Sequence, residues 1–328
     1  MHIPDGYLGP RTCVLFYAVM LPVWYKALKT AEKTLEARHL PLVAFSSAFV
    51  FVIMMFNFPV PGGTTGHIAG GALVSIVVGP WVGVLAVSIA LFLQAAIFAD
   101  GGITTYGVNC FNMAFLMSFS GYYVFRILDR GQTNSRCNSQ GNSRTRRVAL
   151  FVAGYVAVNI AALSTALILG IQPILEHDPG GRALYAPYPL QVTLPAMLIP
   201  HILFFGPLEG LSTAFVASYL FKTKGEDLSR EKTFVSPMWV FLLVLITLTP
   251  LGLIASGKPW GEWAGREFSG FIGYVPAGMQ RLGGLWAGLL PDYGMEGVPR
   301  SMGYILSAFS GSAAMVFVIY LVGRLWRR

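Results

Sequence analysis

Apolar runs alternate with short polar strips along the whole chain. A helix needs about twenty apolar residues to cross a bilayer, with some allowance for tilt. Runs of that order fall near residues 12–28, 40–57, 81–98, 108–128, 149–172, 190–221, 234–256 and 303–323. A shorter run, 68–79 ("IAGGALVSIVVG"), is rich in small residues. It reads as a ninth, short helix inside the bundle, where Gly70, Gly71 and Ala72 permit close backbone approach. The pattern predicts an all-α integral membrane protein of about nine transmembrane helices.

The polar strips orient it. Nine crossings with the N-terminus outside put 26–39, 126–147, 222–232 and the C-terminal tail in the cytoplasm, and these hold 17 of the 23 lysines and arginines. Arg11, Arg182, Lys258, Arg266, Arg281 and Arg300 remain outside, an asymmetry of the positive-inside kind. The strip 130–147 ("RGQTNSRCNSQGNSRTRR") is polar, basic and helix-poor, and predicts a flexible cytoplasmic loop. The strip 222–232 ("KTKGEDLSREK") divides the chain. A seven-helix core covers 1–221, and a two-helix module covers 222–328, its helices bracketing a long outside loop, 257–302.

Composition agrees with this picture and excludes others. The chain is 55% hydrophobic and 12% charged, against roughly 25% charged in soluble domains. The net charge of +8 is gathered in the short strips, so it reads as a topology signal and not as a nucleic-acid surface. A multi-pass protein of the cell membrane follows. Cys13, Cys110 and Cys137 are odd in number and widely spaced, which argues against a disulfide frame or a zinc knuckle. HExxH, GxSxG and the Walker lysine motif are absent. Energy for uphill transport would come from an ion gradient or another chain.

The N-terminus, "MHIPDGYLGPR", has an aspartate and two prolines where a signal peptide carries a basic region, and no A-x-A site ends the first apolar run. That run reads as a retained helix, with the start methionine kept ahead of a bulky histidine. His2 then has an unusual chemical option. The α-amine, the deprotonated amide nitrogen of His2 and its Nδ1 can chelate one cation through fused five- and six-membered rings. Three such nitrogens leave one corner of a square vacant, a geometry that nickel(II) and copper(II) favour. His67 lies on the same predicted side, after the pliable "GGTTG". Each histidine also has a plainer reading, as an exposed terminal residue for His2 and a turn residue bonded to backbone for His67.

The other histidines read as structural. His39 is a solvated residue of the cytoplasmic strip, and His177, between Glu176 and Asp178, is a polar loop residue with a weak capacity for cations. His201 lies within an apolar helix, as a helix-to-helix hydrogen bond or a functional group. Glu209, in "FGPLEGLSTAF", is a carboxylate inside a predicted crossing that must be paired, protonated or near a polar face. The adjacent Gly206-Pro207 suggests a local break that leaves it near the cytoplasmic interface, anchoring a neighbouring helix or a partner subunit. Gln94, Asn109, Asn112 and Asn159 read as interhelical hydrogen-bond donors. A passive channel, or an intramembrane enzyme using Glu209 and His201, stays open at this point.

Four motifs in order resemble one family. "MHIPDGYL" at the N-terminus, "PVPGGTTGH" at 59–67, "FADGGITTYGVNCFNMA" at 98–114 and "LEGLSTAFV" at 208–216 are similar to the nickel/cobalt substrate-binding subunits of energy-coupling factor transporters, over roughly residues 1–221. The resemblance implies metal ligation by Met1 (amine), His2 (amide and imidazole) and His67 (imidazole). It also implies Ni(II), or alternatively Co(II), as the transported substrate. The implied partners are a transmembrane coupling subunit, cytoplasmic ABC-type ATPases and the lipid bilayer that holds the chain. "LLPDYGMEGV", 289–298, resembles the Pro-Asp-Gly-Leu-Glu accessory module found with nickel members. It keeps Asp292, Gly294 and Glu296, but Tyr293 intrudes and Met295 replaces leucine.

Overall fold

The computed structural model describes residues 1–35, 39–60, 64–129, 143–225, 231–254, 260, 262–263 and 265–325. Cys137, Lys258, most of the 130–147 strip and the middle of the 222–232 strip lie outside the described residues.

The chain is a helical bundle. α1 (Pro10–Thr34), α2 (Leu40–Met54), α3 (Gly71–Val78) and α4 (Pro80–Phe98) come first, with a hairpin of β1 (Phe58–Val60) and β2 (Thr64–Gly66) between α2 and α3. α5 (Tyr106–Asn109) runs through a π-helical segment, Cys110–Leu116, into α6 (Met117–Asp129). α7 (Ser143–Gly170) and the short α8 (Gln172–Leu175) follow. α9 (Leu190–Pro200) continues through a π-helical turn, His201–Phe205, into α10 (Gly206–Gly225). Then come α11 (Glu231–Leu248), α12 (Gly265–Ile272), α13 (Ala277–Leu282) and α14 (Arg300–Leu325).

α2 shows why the bundle closes as it does. It is apolar on every face, and residues Val43 to Met54 are all buried. Such a helix must be surrounded. α4 packs on one side of it, and α11 and α14 of the C-terminal module pack on others. Gly311 of α14 lets that helix ride directly on the Phe51 ring. α3 is buried along its length, and Gly121 of α6 and Ala72 of α3 bring those two backbones together, as the small residues predict.

Helix lengths differ from the even spacing of the apolar runs. Among the described residues four helical stretches are long and apolar enough to cross a membrane, at 80–98, 144–175, 190–221 and 300–324, with shorter apolar helices at 40–54 and 238–254. α3 has eight residues, about 12 Å at 1.5 Å per residue, well short of a hydrocarbon core of about 30 Å. The chain before it is irregular and buried from His67 to Gly70, and must satisfy its backbone inside the protein.

Two sequence expectations are corrected. The loop before His67 is not wholly irregular: Thr64–Gly66 pairs antiparallel with Phe58–Val60, so a two-stranded hairpin joins the helices. Residues 143–147 of the expected flexible strip form the opening turn of α7, where Arg146 lies 4.3 Å over the Phe221 ring. Cation–π contact with α10 holds that turn in place.

Candidate metal centre

The N-terminal segment is threaded into the bundle, and its sequence explains the seating. Ile3 donates its N–H to Asn109 Oδ1 at 2.9 Å, and its carbonyl accepts from Asn109 Nδ2, the Gly102 N–H and the Thr105 hydroxyl. The Asp5 carboxylate caps the turn before α5, accepting from the N–H groups of Ile103 and Thr104 and from the Thr104 hydroxyl. Gly6 adopts φ +86°, and a Cβ there would fall 2.9 Å from the Met279 backbone. Gly9 donates to Gln172 Oε1. "IPDGYLG" is thus a plug, and "ADGGITTYGVN" is much of its socket.

The plug carries Met1 and His2 to His67. The three are 7%, 4% and 5% exposed, and the two imidazoles stack with centroids 4.9 Å apart. The hairpin delivers His67: Gly66 lies against the buried Phe205 ring, where a Cβ would come within 2.5 Å of it. Behind His67 the Glu209 carboxylate accepts from the N–H groups of Ala69 (2.8 Å) and Gly70 (2.9 Å), at the start of α3. Amides at a helix N-terminus have no partners of their own helix, and an acid there is favourable. Glu209 therefore anchors a neighbouring helix of its own chain. It does so from the first turn of α10, directly after the π-helical turn His201–Phe205.

Burial sets the protonation of both rings. Desolvation, reinforced by the N-terminal amine, pushes His2 down to about 3 and His67 well below its ordinary value, so both imidazoles are neutral at pH 7. Each Nδ1 has an oxygen neighbour: Asp100 Oδ1 at 3.2 Å for His2, and the Ile68 carbonyl at 3.2 Å for His67. Among the described residues each Nε2 is buried and meets no hydrogen-bond geometry, although the Gln94 side chain lies close enough to His2 to interact with it. Among the described residues the His2 amide also donates no hydrogen bond, although the next amide is held by Asn109. The Met1 amine is buried and lies 3.5 Å from Glu262 Oε1, and burial raises that carboxyl group to about 7.

Side chains alone do not make a metal cage. Among the described residues no three His, Cys, Asp or Glu side chains gather in a way that could hold an ion. Backbone and chain-end nitrogens must join the two imidazoles. His201, by contrast, bonds within its own helix, its Nδ1 2.6 Å from the Met197 carbonyl. Asp100 and Glu262 escaped the sequence reading, and Tyr293 entered it only as a departure from the accessory-module motif. Asp100 follows α4 at the head of "DGGITTYG", and an acid directly after an apolar run was the available signal.

Residues 2–226 match CbiM, the cobalt uptake substrate-specific transmembrane region, and residues 236–328 match the PDGLE domain. The chain belongs to the CbiM family. It is 40% identical over 337 residues to the fused nickel transport protein NikMN of Rhodobacter capsulatus, covering 96% of this chain and 95% of that one. It is 38% identical to the probable fused nickel transport protein LarMN of Lactiplantibacillus plantarum, covering 98% and 97%. A crystal structure of a truncated transition metal transporter superposes with a TM-score of 0.62 at 42% identity, covering 68% of this chain and 99% of that one. The chain is therefore a multi-pass plasma-membrane protein of nickel/cobalt transport, a transporter component and not an enzyme, and its family acts with other transporter subunits.

Proposed function

We propose that the chain captures Ni(II) outside the cell, as the substrate-binding subunit of an energy-coupling factor importer. Its ligands are the Met1 amine, the His2 amide and imidazole, and the His67 imidazole, and its N-terminus faces outward in a bundle of nine crossings. The core, 1–221, binds the metal, and the module 222–328 is accessory to it. A transmembrane coupling subunit and ABC-type ATPases supply the drive. Nickel is preferred to cobalt because relatives that match this chain across both segments are named for nickel.

The observation that carries this reading is the meeting of a buried chain-end amine, a His2 amide with no acceptor and two neutral imidazoles in one place. The His2 ring points Nδ1 at Asp100, so chelation through Nδ1 requires the ring to turn over. The unpartnered Nε2 atoms favour a second ligand set: amine, His2 Nε2 and His67 Nε2. The two sets separate spectroscopically. A deprotonated amide in a square of nitrogens gives a strong visible band for bound Ni(II), and the three-nitrogen alternative does not.

One residue inserted between Met1 and His2, or acetylation of the amine, is expected to abolish nickel bound to the purified chain. Nickel retained at full stoichiometry after either change refutes the site. Competition between Ni(II) and Co(II) on the same protein decides the cargo. Uptake that persists without ATPases would support a channel.

A further inference from the structure

The C-terminal module reaches the proposed ligands at two places: Glu262 lies 3.5 Å from the Met1 amine, and Tyr293 reaches His2 through Asp100. The carbonyls at the end of α4 have no partners in their own helix. Residues of the module take two of them: Trp286 Nε1 donates to Ala96 O at 2.9 Å, and the N–H groups of Leu289 and Leu290 donate to Ile97 O at 2.7 Å. Gly288, at φ +73°, makes that approach possible, since a Cβ there would lie 2.8 Å from the Ala99 nitrogen. The chain then turns through Asp292 and Tyr293, both left-handed with φ +52° and +59°. Tyr293 intrudes between the Pro-Asp and the Gly of the resembling accessory-module sequence, and it holds a left-handed backbone that only glycine adopts freely. Strain of this kind persists only where surrounding contacts determine it.

Those contacts are specific. The Tyr293 ring stacks on Phe98 with centroids 4.8 Å apart, and Ser307 donates to the Tyr293 carbonyl at 3.0 Å. The hydroxyl donates to Asp100 Oδ2 at 2.5 Å and accepts from Gln94 Nε2 at 3.2 Å. The other oxygen of Asp100 faces His2 Nδ1 at 3.2 Å. Turning the His2 ring over brings Nε2 round to the side that Asp100 faces, so the same carboxylate lies against the ring in either orientation.

We infer that Tyr293 is a positioning residue of the metal centre, fixing Asp100 so that Asp100 fixes the His2 imidazole. The accessory module thus completes the outer shell of a site whose ligands all come from the core. A ligating histidine commonly donates its remaining N–H to a carboxylate, and loss of such a partner weakens metal binding about 10- to 100-fold.

The inference rests on His2 being a ligand, and the test separates the two claims. Nickel affinity, visible absorption and thermal unfolding are measured on the full-length chain in detergent. Y293F keeps the ring on Phe98 and loses only the hydroxyl. It is expected to bind nickel about 10-fold more weakly or worse, while the metal-free protein stays folded with only a modest fall in unfolding temperature, as the buried Gln94 amide loses its acceptor. Y293G, which relieves the left-handed strain, is expected to weaken binding equally. D100N and the D100N/Y293F double variant are expected to bind alike, because the tyrosine acts only through Asp100. Wild-type affinity in Y293F, or losses that add in the double variant, would overturn the relay. Nickel retained by H2A would overturn the ligand assignment and the relay with it.

Discussion

His67 and His201 are buried almost equally, at 5% and 7% exposure, and each lies beside the Phe205 region. They differ in what their nitrogens face. His201 sits in the π-helical turn after Pro200 and turns its Nδ1 back onto the Met197 carbonyl, one turn earlier in the same chain segment. A proline lacks the N–H of the regular helix ladder, and a π turn is one way a helix takes up the disturbance. His67 leaves a hairpin, not a helix, and its free Nε2 is buried beside a second neutral imidazole and a chain-end amine. A buried histidine is thus a weak sign of a ligand. Several lone pairs converging from separate elements are a strong one.

Three experiments break or sharpen this contrast. The largest effect is expected from alanine at each histidine. H67A should lose bound nickel, while H201A should keep it at wild-type stoichiometry, as should H39A; equilibrium dialysis of the purified chain distinguishes them. Loss in H201A equal to that in H67A would erase the contrast.

A middle effect is expected at Glu209. E209A leaves the Ala69 and Gly70 amides buried without acceptors, at about 1–3 kcal/mol for each unpaired group. Its unfolding temperature should fall and its nickel affinity should weaken, because those amides follow His67 directly. E209Q keeps one carbonyl acceptor and should lose less. Equal stability of E209A and wild type would show that the carboxylate does not hold α3.

The smallest effect concerns pH. His2 takes up a proton at about 3 in the folded chain, against about 6.5 when free. Between those values the unfolded state binds more protons, so the stability tied to the neutral ring is complete above about pH 6.5 and declines as pH falls toward 3. Unfolding temperatures of wild type and H2Q should converge in acid, with H2Q showing the flatter profile. Parallel profiles would place the His2 ring in water.

The parts legible in the sequence were those with local causes. Apolar runs located the long helices, and the small residues of 68–79 located α3, because hydropathy and side-chain size act within a few turns. Met1, His2 and His67 were singled out by the chemistry of a chain-end chelate, and the fold brings the three close together. The hairpin was not, since three-residue strands are too short to show alternation. Glu209 drew notice as a carboxylate in an apolar run, but its partners are backbone amides 139 and 140 residues away, and amides look alike in every sequence. Asp100, Glu262 and Tyr293 resemble ordinary loop residues until the fold sets them around the plug.

The plug also fixes an order of events during synthesis. Residues 1–9 leave the ribosome early, yet their seat is made of Gly102–Asn109, Gln172, Glu262 and the backbone at Met279, which follow much later. Chains fold from their N-terminal parts onward as they are made. Here the first segment must wait until residues beyond 260 have emerged before its last contacts can close. A chain halted partway would carry Met1, His2 and His67 and still lack the last contacts that seat the plug.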